Sequence, residues 1–282
     1  MRCRSDEKAV VLRVGIVNYL NSRPLAWSFL RGNVGKGFST TFLPPAQVAD
    51  RLAAGSLDVG LIPSIEIQRI PGLAVLPGLC VAATQEVRSV LLLSRCAPGE
   101  IQRLALDENS RTSAALVRIL LRERFRIEPQ CLAASPDLKE MMQEADAALI
   151  IGDPALRVDR TGYRVLDLAA EWRELTDLPF VFAVWAVRAG VEMSTRLGIF
   201  SRSLRQGMRE MDLLVREAAR ELGLDAVEVR KYLTENLSYE LGAAELAGLE
   251  EFFRRAHSHG LIDSPEPLRL IEPCDDSRDS LE

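Results

Sequence analysis

The feature that most constrains this chain is a strand, loop and helix unit that repeats and then starts afresh partway along. Residues 13–17 (RVGIV) form a short β-rich run that meets Asn21, Ser22, Arg23 and Pro24. Ser22 or Asn21 is placed to cap a helix there, with Pro24 in its first turn. Residues 38–43 read as a strand, 45–54 as a helix ending at Gly55, and 57–62 as a further strand. Such alternation points to a mostly parallel sheet. Two apolar runs follow at 73–83 and 87–94, and turn residues at 95–99 break the pattern.

Beyond that break the alternation begins again. A strand is expected at 103–106 and a helix opening at Ser110, whose Leu116, Val117, Leu120 and Leu121 share one face. A strand at 130–133, a helix at 136–144 and a strand at 147–151 come next, the last running into Gly152, Asp153 and Pro154. Residues 180–187 (FVFAVWAV) are apolar on both alternate faces, as a buried strand would be. The remainder reads as helices at about 194–222, 226–235 and 243–257, with a frayed acidic end from Glu272. No internal sequence repeat is visible. The expectation is an α/β protein of two lobes, residues 1–94 with 187–282 and residues 95–186, joined by two connecting strands over a central cleft. Ligands bind at such interfaces, and hinge closure excludes water around them.

Composition narrows the chemistry. With 282 residues, a formal charge of −5 and 48% hydrophobic residues, the chain reads as a soluble globular protein. No Lys/Arg run offers a footprint for nucleic acid. The longest apolar stretches are far shorter than the roughly 20 residues that span a bilayer, so no membrane association is expected. Residues 1–8 are charged and show no export signal, which suits the cytoplasm. Cys3, Cys80, Cys96, Cys131 and Cys274 are scattered, without CxxC or zinc spacing, and read as reduced thiols. The only histidines, His257 and His259, fall in a late helical segment, so a histidine base is not expected. No Walker loop, HExxH, GxSxG elbow or dinucleotide fingerprint appears, and no cofactor or metal is expected.

The candidate site residues lie where strands feed helices. Residues 18–25 (NYLNSRPL) offer Asn21, Ser22 and Arg23 at a sheet edge where ligands bind, although simple capping explains Asn21 and Ser22 equally well. Ser110, Arg111, Thr112 and Ser113 bring hydroxyls, a guanidinium and free amides to one helix start, where the macrodipole favours an anion such as a carboxylate. An ordinary N-cap beside a solvent-facing Arg111 is the plainer alternative. Ser89 and Arg88 precede the second apolar run, so Ser89 faces the cleft or merely fills a small space. Ser64 and Asp153 each open a helix after a strand, with Asp153 better suited to capping than to acid chemistry. The aromatic run around Trp185 reads as core.

Several blocks in one order carry a resemblance: NYLNSRPL, IPSIE (62–66), VRSVLLLS (87–94), NSRTS (109–113), MMQEADAALIIGDPAL (141–156) and LPFVFAVWA (178–186). Together they resemble the chorismate dehydratases of the futalosine route to menaquinone, from about Val14 to the helix near His257. The resemblance implies a type II periplasmic-binding-protein-like fold and conversion of chorismate to 3-(1-carboxyvinyloxy)benzoate and water, without metal or redox cofactor. It further implies that the substrate's own enolpyruvyl carboxylate acts as base. Asn21 and Ser89 would then stabilise developing charge or the departing hydroxyl, and residues 110–113 would grip a carboxylate, with Ser22, Arg23, Ser64, Arg88 and Asp153 as further contacts. The sister enzyme 1,4-dihydroxy-6-naphthoate synthase shares the fold but is expected to use a cleft histidine. A non-catalytic binding protein for a small carboxylate would also look alike.

Overall fold

The computed structural model describes residues 11–193 and 195–272. The first lobe opens with β1 (Leu12–Val17), α1 (Arg23–Leu30), β2 (Phe38–Leu43), α2 (Pro45–Ala53), β3 (Val59–Pro63) and β4 (Ala74–Ala83). The second holds β5 (Val90–Ser94), β6 (Arg103–Asp107), α3 (Arg111–Phe125), β7 (Gln130–Ala134), α4 (Leu138–Glu144), β8 (Ala147–Ile151), α5 (Gly152–Arg157), β9 (Arg164–Asp167) and α6 (Leu168–Thr176). The chain then returns through β10 (Phe180–Val187) to α7 (Leu197–Arg209), α8 (Met211–Leu222), α9 (Ala226–Lys231) and α10 (Ala243–Ser258).

The strands form two sheets, β2-β1-β3-β10-β4 and β7-β6-β8-β5-β9. Each has three parallel strands followed by an antiparallel pair of joints, β10 against β3 and β4 in one and β5 against β8 and β9 in the other. The two sheets therefore share one topology although no repeat is visible in the sequence. Because β5 belongs to the second sheet and β10 to the first, the chain crosses through residues 84–89 and returns through 177–179. The expected crossings near 94 and 187 lay later. The first run is buried throughout and the second at every position but Ala183, so their pattern could not say which sheet buries them.

Residues expected as one helix near 194–222 form two, broken at Glu210, and the helix expected to run to 235 stops at Lys231 and continues as a π turn, Tyr232–Asn236. The principal core runs through both sheets and the helices between them, with Trp172, Trp185, Phe180, Phe200 and Phe252 fully buried. The Trp185 run is core, as its periodicity indicates. α7 lies against α1 so closely that a Cβ on Gly207 would meet the Pro24 carbonyl at 2.5 Å. Cys3 and Cys274 lie outside the described residues. Cys80, Cys96 and Cys131 are free thiols. Among the described residues no helix is long and apolar enough to cross a membrane.

Candidate functional site

Strand-to-helix corners from both sheets meet across the cleft, and they interlock reciprocally. The corner after β8 grips the corner after β1: the Leu20 amide donates to Asp153 Oδ1 at 2.8 Å, and the Tyr19 ring lies where a Cβ on Gly152 would stand, 2.7 Å from its ring carbons. Gly152 has φ +64°, a conformation that also favours glycine. The corner after β3 meets the start of α3: the Ile65 amide donates to Thr112 Oγ1 at 3.2 Å, and the Ser64 hydroxyl, donating to the Val181 carbonyl at 2.7 Å, lies 3.4 Å from the same oxygen. Arg111 adds a salt bridge across the lobes, to Glu66 at 2.9 Å and Asp50 at 2.7 Å.

Between these clasps lies a cavity of about 60 Å³. Its walls are apolar at Val17, Pro45, Pro63, Val90, Ile151 and Phe182, and polar at Tyr19, Asn21, Ser89 and residues 109–113. That division, apolar walls with a few converging donors, suits a small organic anion.

The residues proposed from sequence separate into two groups. Asn21, Ser89, Ser110, Arg111, Thr112 and Ser113 line the cavity together. Asn21 is not a cap: neither the 3-10 turn at Leu20–Ser22 nor α1 has a side-chain cap bond. Ser110 is 3% exposed, does not cap α3, and its Oγ has no hydrogen-bond partner among the described residues. A buried hydroxyl without a partner beside the orphan amides of a helix start leaves several donors converging on one place. Arg111 is on the wall, and its guanidinium pairs with Glu66 and Asp50.

The others do not reach the cavity. Ser22 turns inward and donates to the Val17 carbonyl at 2.5 Å and the Tyr19 carbonyl at 2.8 Å. It therefore braces the corner as a donor. Arg23 lines a neighbouring groove of about 310 Å³ and pairs with Glu221. Ser64 and Asp153 are clasp residues, and Asp153 caps nothing in α5. Arg88 extends to Glu228 at 2.6 Å. Ser22 is bonded within its own turn, whereas the outcomes at Arg23, Ser64, Arg88 and Asp153 depend on partners far along the chain, which local sequence could not reveal.

Ser89 itself is fully buried and firmly held. Arg88 beside it adopts φ +62°, a strained value for a residue with a side chain. Asp167 compensates: its carboxylate accepts from the Val87 amide at 3.0 Å and the Arg88 amide at 2.6 Å while capping α6 through Ala169 and Ala170. The Ser89 carbonyl accepts from the Gly152 amide at 2.8 Å. Burial raises the Asp167 carboxyl above its ordinary value, and the four amides oppose that shift. Asp107, at the end of β6, is likewise raised by burial; Asn109 satisfies one of its oxygens and the other has no partner among the described residues.

Sequence reasoning passed over Tyr19, Asp107, Asp167 and Tyr232. Tyr19 stood inside the NYLNSRPL block, so position at a strand edge was a usable signal. Tyr232 and Asp167 had none. The histidines are remote: His257 is exposed on α10, and His259 meets Glu123 at 2.8 Å. Among the described residues no group of three or more His, Cys, Asp or Glu side chains is arranged to hold a metal.

Comparison with known proteins agrees with this architecture. A protein of Archaeoglobus fulgidus, AF1704, superposes with a TM-score of 0.72 at 17% identity, covering 89% of this chain and 98% of that one. The alkanesulfonate-binding protein SsuA from Xanthomonas axonopodis pv. citri superposes with a TM-score of 0.65 at 18% identity, covering 90% and 95%. These likenesses establish the periplasmic-binding-protein fold. A chorismate dehydratase from Thermus thermophilus is 30% identical over 271 residues, 89% of this chain and 96% of that protein. A chorismate dehydratase from Campylobacter jejuni is 25% identical over 247 residues, 85% and 95% of the two chains. A family model for menaquinone biosynthesis matches residues 12–258. The chain belongs to the menaquinone-biosynthesis family.

Proposed function

We propose that this protein is a chorismate dehydratase, a carbon-oxygen hydro-lyase acting in the cytoplasm, that converts chorismate to 3-(1-carboxyvinyloxy)benzoate and water for menaquinone assembly by the futalosine pathway. The observation that carries the reading is the cavity between the clasps, where donors from both lobes converge in a chain related over most of its length to two chorismate dehydratases. In the reaction the ring carbon bearing the enolpyruvyl ether loses its proton, the ring hydroxyl leaves, and the two combine as water. Aromatisation supplies a large driving force. The protein's task is therefore to orient the substrate and offset charge.

In this reading the α3 start, with Ser110 and Ser113, holds one carboxylate. Asn21 and Ser89 donate hydrogen bonds to oxygens that gain negative charge as the proton departs. The base is the substrate's own enolpyruvyl carboxylate, consistent with His257 and His259 lying away from the cavity. Opening of the clasps admits chorismate, and closure excludes water from the carbanion.

A carboxylate-binding protein without catalysis is the second reading, favoured by the resemblance in fold to a protein that binds alkanesulfonates. Mixing the purified protein with chorismate and following absorbance and mass separates the two. Loss of one water to give the aromatic ether supports the dehydratase. Retained chorismate that nevertheless protects the protein against thermal unfolding would replace it with the binding reading.

A further inference from the structure

The crossing segment that carries Ser89 is gripped by one helical face. Glu228, Tyr232 and Asn236 follow at intervals of four along α9 and the π turn. Glu228 pairs with Arg88 at 2.6 Å, Tyr232 Oη meets Ser89 Oγ at 2.7 Å, and Asn236 Nδ2 donates to the Glu86 carbonyl at 3.2 Å. A π turn, rare in itself and frequent at functional sites, breaks the regular helix at Tyr232.

Tyr232 is 2% exposed, and burial keeps its phenol protonated far above neutral pH. A buried O–H must donate or forfeit its hydrogen bond, and Ser89 Oγ is the acceptor at hand. A serine hydroxyl has a single proton and two lone pairs. With one lone pair occupied by Tyr232, the Ser89 proton points away from the phenol, and Ser89 is among the residues lining the cavity.

We propose that Tyr232 is a positioning residue which fixes the Ser89 hydroxyl as a hydrogen-bond donor into the cavity, so that negative charge developing on a substrate oxygen is shared along a Ser89–Tyr232 relay of two O–H groups. Chained donors polarise one another, which makes the serine a better donor in the transition state than it would be alone. No proton is transferred to or from the tyrosine. The inference rests on the dehydratase reading for its substrate, while the direction of the hydrogen bond does not.

The two parts are tested separately. Without substrate, the tyrosine ring doublet in the Raman difference spectrum of wild type minus Tyr232→Phe reports whether that phenol donates or accepts. A donor signature is expected, and an acceptor signature overturns the proposal whatever the protein's substrate. With chorismate, Tyr232→Phe is expected to lower kcat about tenfold while KM stays within about a factor of two. In a Ser89→Ala background the same change is expected to have no further effect. A kcat unaltered by Tyr232→Phe, or effects of the two substitutions that multiply independently, would overturn the relay while leaving the dehydratase reading standing. If wild-type protein leaves chorismate unchanged, that reading fails and the Raman result alone decides the hydrogen-bond direction.

Discussion

The corners after β1 and β6 occupy the same place in two sheets of one topology, yet they are built differently. After β1 a 3-10 turn and a proline lead into an eight-residue helix, and Ser22 is spent bracing the turn from within. After β6 a fifteen-residue helix begins uncapped, and Ser110 remains buried without a partner. Of the first corner's two carboxamides, Asn21 lines the cavity and Asn18 the neighbouring groove. The second corner presents a set of donors along a longer helix dipole. Equal topology therefore fixes where the two corners lie, while the local hydrogen-bond accounts decide which hydroxyl is used inside the turn and which is left without a partner.

The same comparison extends to the feet of the sheets. Asp58 and Asp146 stand just before β3 and β8, each exchanging backbone bonds with the strand beside it: the Asp58 amide donates to the Arg13 carbonyl, and the Asp146 amide to the Arg103 carbonyl. Arg188 after β10 and Arg95 after β5 donate their amides to the carbonyls of Asp58 and Asp146. Only in the first lobe do guanidinium groups also bind the carboxylate, from Arg13 and Arg188, and they hold Asp58 well below the usual carboxylate range. In the second lobe the corresponding arginines go elsewhere, Arg95 to the Met142 carbonyl and Arg103 to Glu144.

The largest expected effect comes from breaking one clasp. Gly152→Ala forces a Cβ into the Tyr19 ring at a left-handed backbone position, and kcat/KM should fall on the order of a hundredfold, as measured by chorismate turnover. Its positional counterpart, Ser64→Ala, removes only a hydroxyl. Turnover within about threefold of wild type is expected there, and equal losses would show that the clasps are not distinguishable.

Next in size is the contrast between the sheet feet. Asp58→Asn should destabilise by about 2 kcal/mol in denaturant melts at neutral pH, and Asp146→Asn by less. The sign with pH follows from the depressed carboxyl: its contribution is present above the unfolded value and fades as pH falls below about 4. The Asp58→Asn variant should therefore lose less stability than wild type between pH 5 and pH 3, on the order of a kcal/mol.

The two serines give the sharpest separation at smaller magnitude. Ser110→Ala should raise KM about tenfold with no loss of thermal stability, because a charge-assisted bond to the ligand goes and an orphaned hydroxyl is relieved. Ser22→Ala should do the reverse, leaving KM unchanged and lowering the melting temperature by about 2–4 °C. Exchanged phenotypes would mean that the first corner, and not the second, holds the anion. Smallest of all, Arg23→Ala breaks an exposed pair with Glu221 in the neighbouring groove and should cost under about 1 kcal/mol.

Much of this was legible in the residues. Strands at 38–43, 147–151 and 180–187 follow directly from β-rich or continuously apolar runs, and α1, α2 and α10 from proline, periodicity and glycine stops. NSRTS suggested an anion site because a helix start concentrates donors, and the structure brings that helix start to the cavity wall with the Ser110 hydroxyl unpartnered among the described residues. Asn21 and Ser110 were ambiguous between cap and ligand group, and the structure resolves that ambiguity by leaving both side chains out of the caps. Ser22, Ser64 and Asp153 offered the same local chemistry and were assigned to the ligand; in the structure Ser22 bonds carbonyls of its own turn, and distant backbone atoms bond Ser64 and Asp153.

By itself the sequence determined the alternation of elements, the two-lobed α/β class, the absence of a nearby histidine and the positions of the helix starts, because these depend on periodicity and on residue chemistry within a few positions. The tertiary structure decided which sheet buries each apolar run, which hydroxyls remain free, and that Tyr232 and Asp167 hold the Ser89 segment. Those outcomes turn on groups separated by more than a hundred residues in the case of Tyr232 and Ser89, and on where each buried donor finds its acceptor. No local pattern encodes such a pairing; only the closed fold brings the partners within a hydrogen bond.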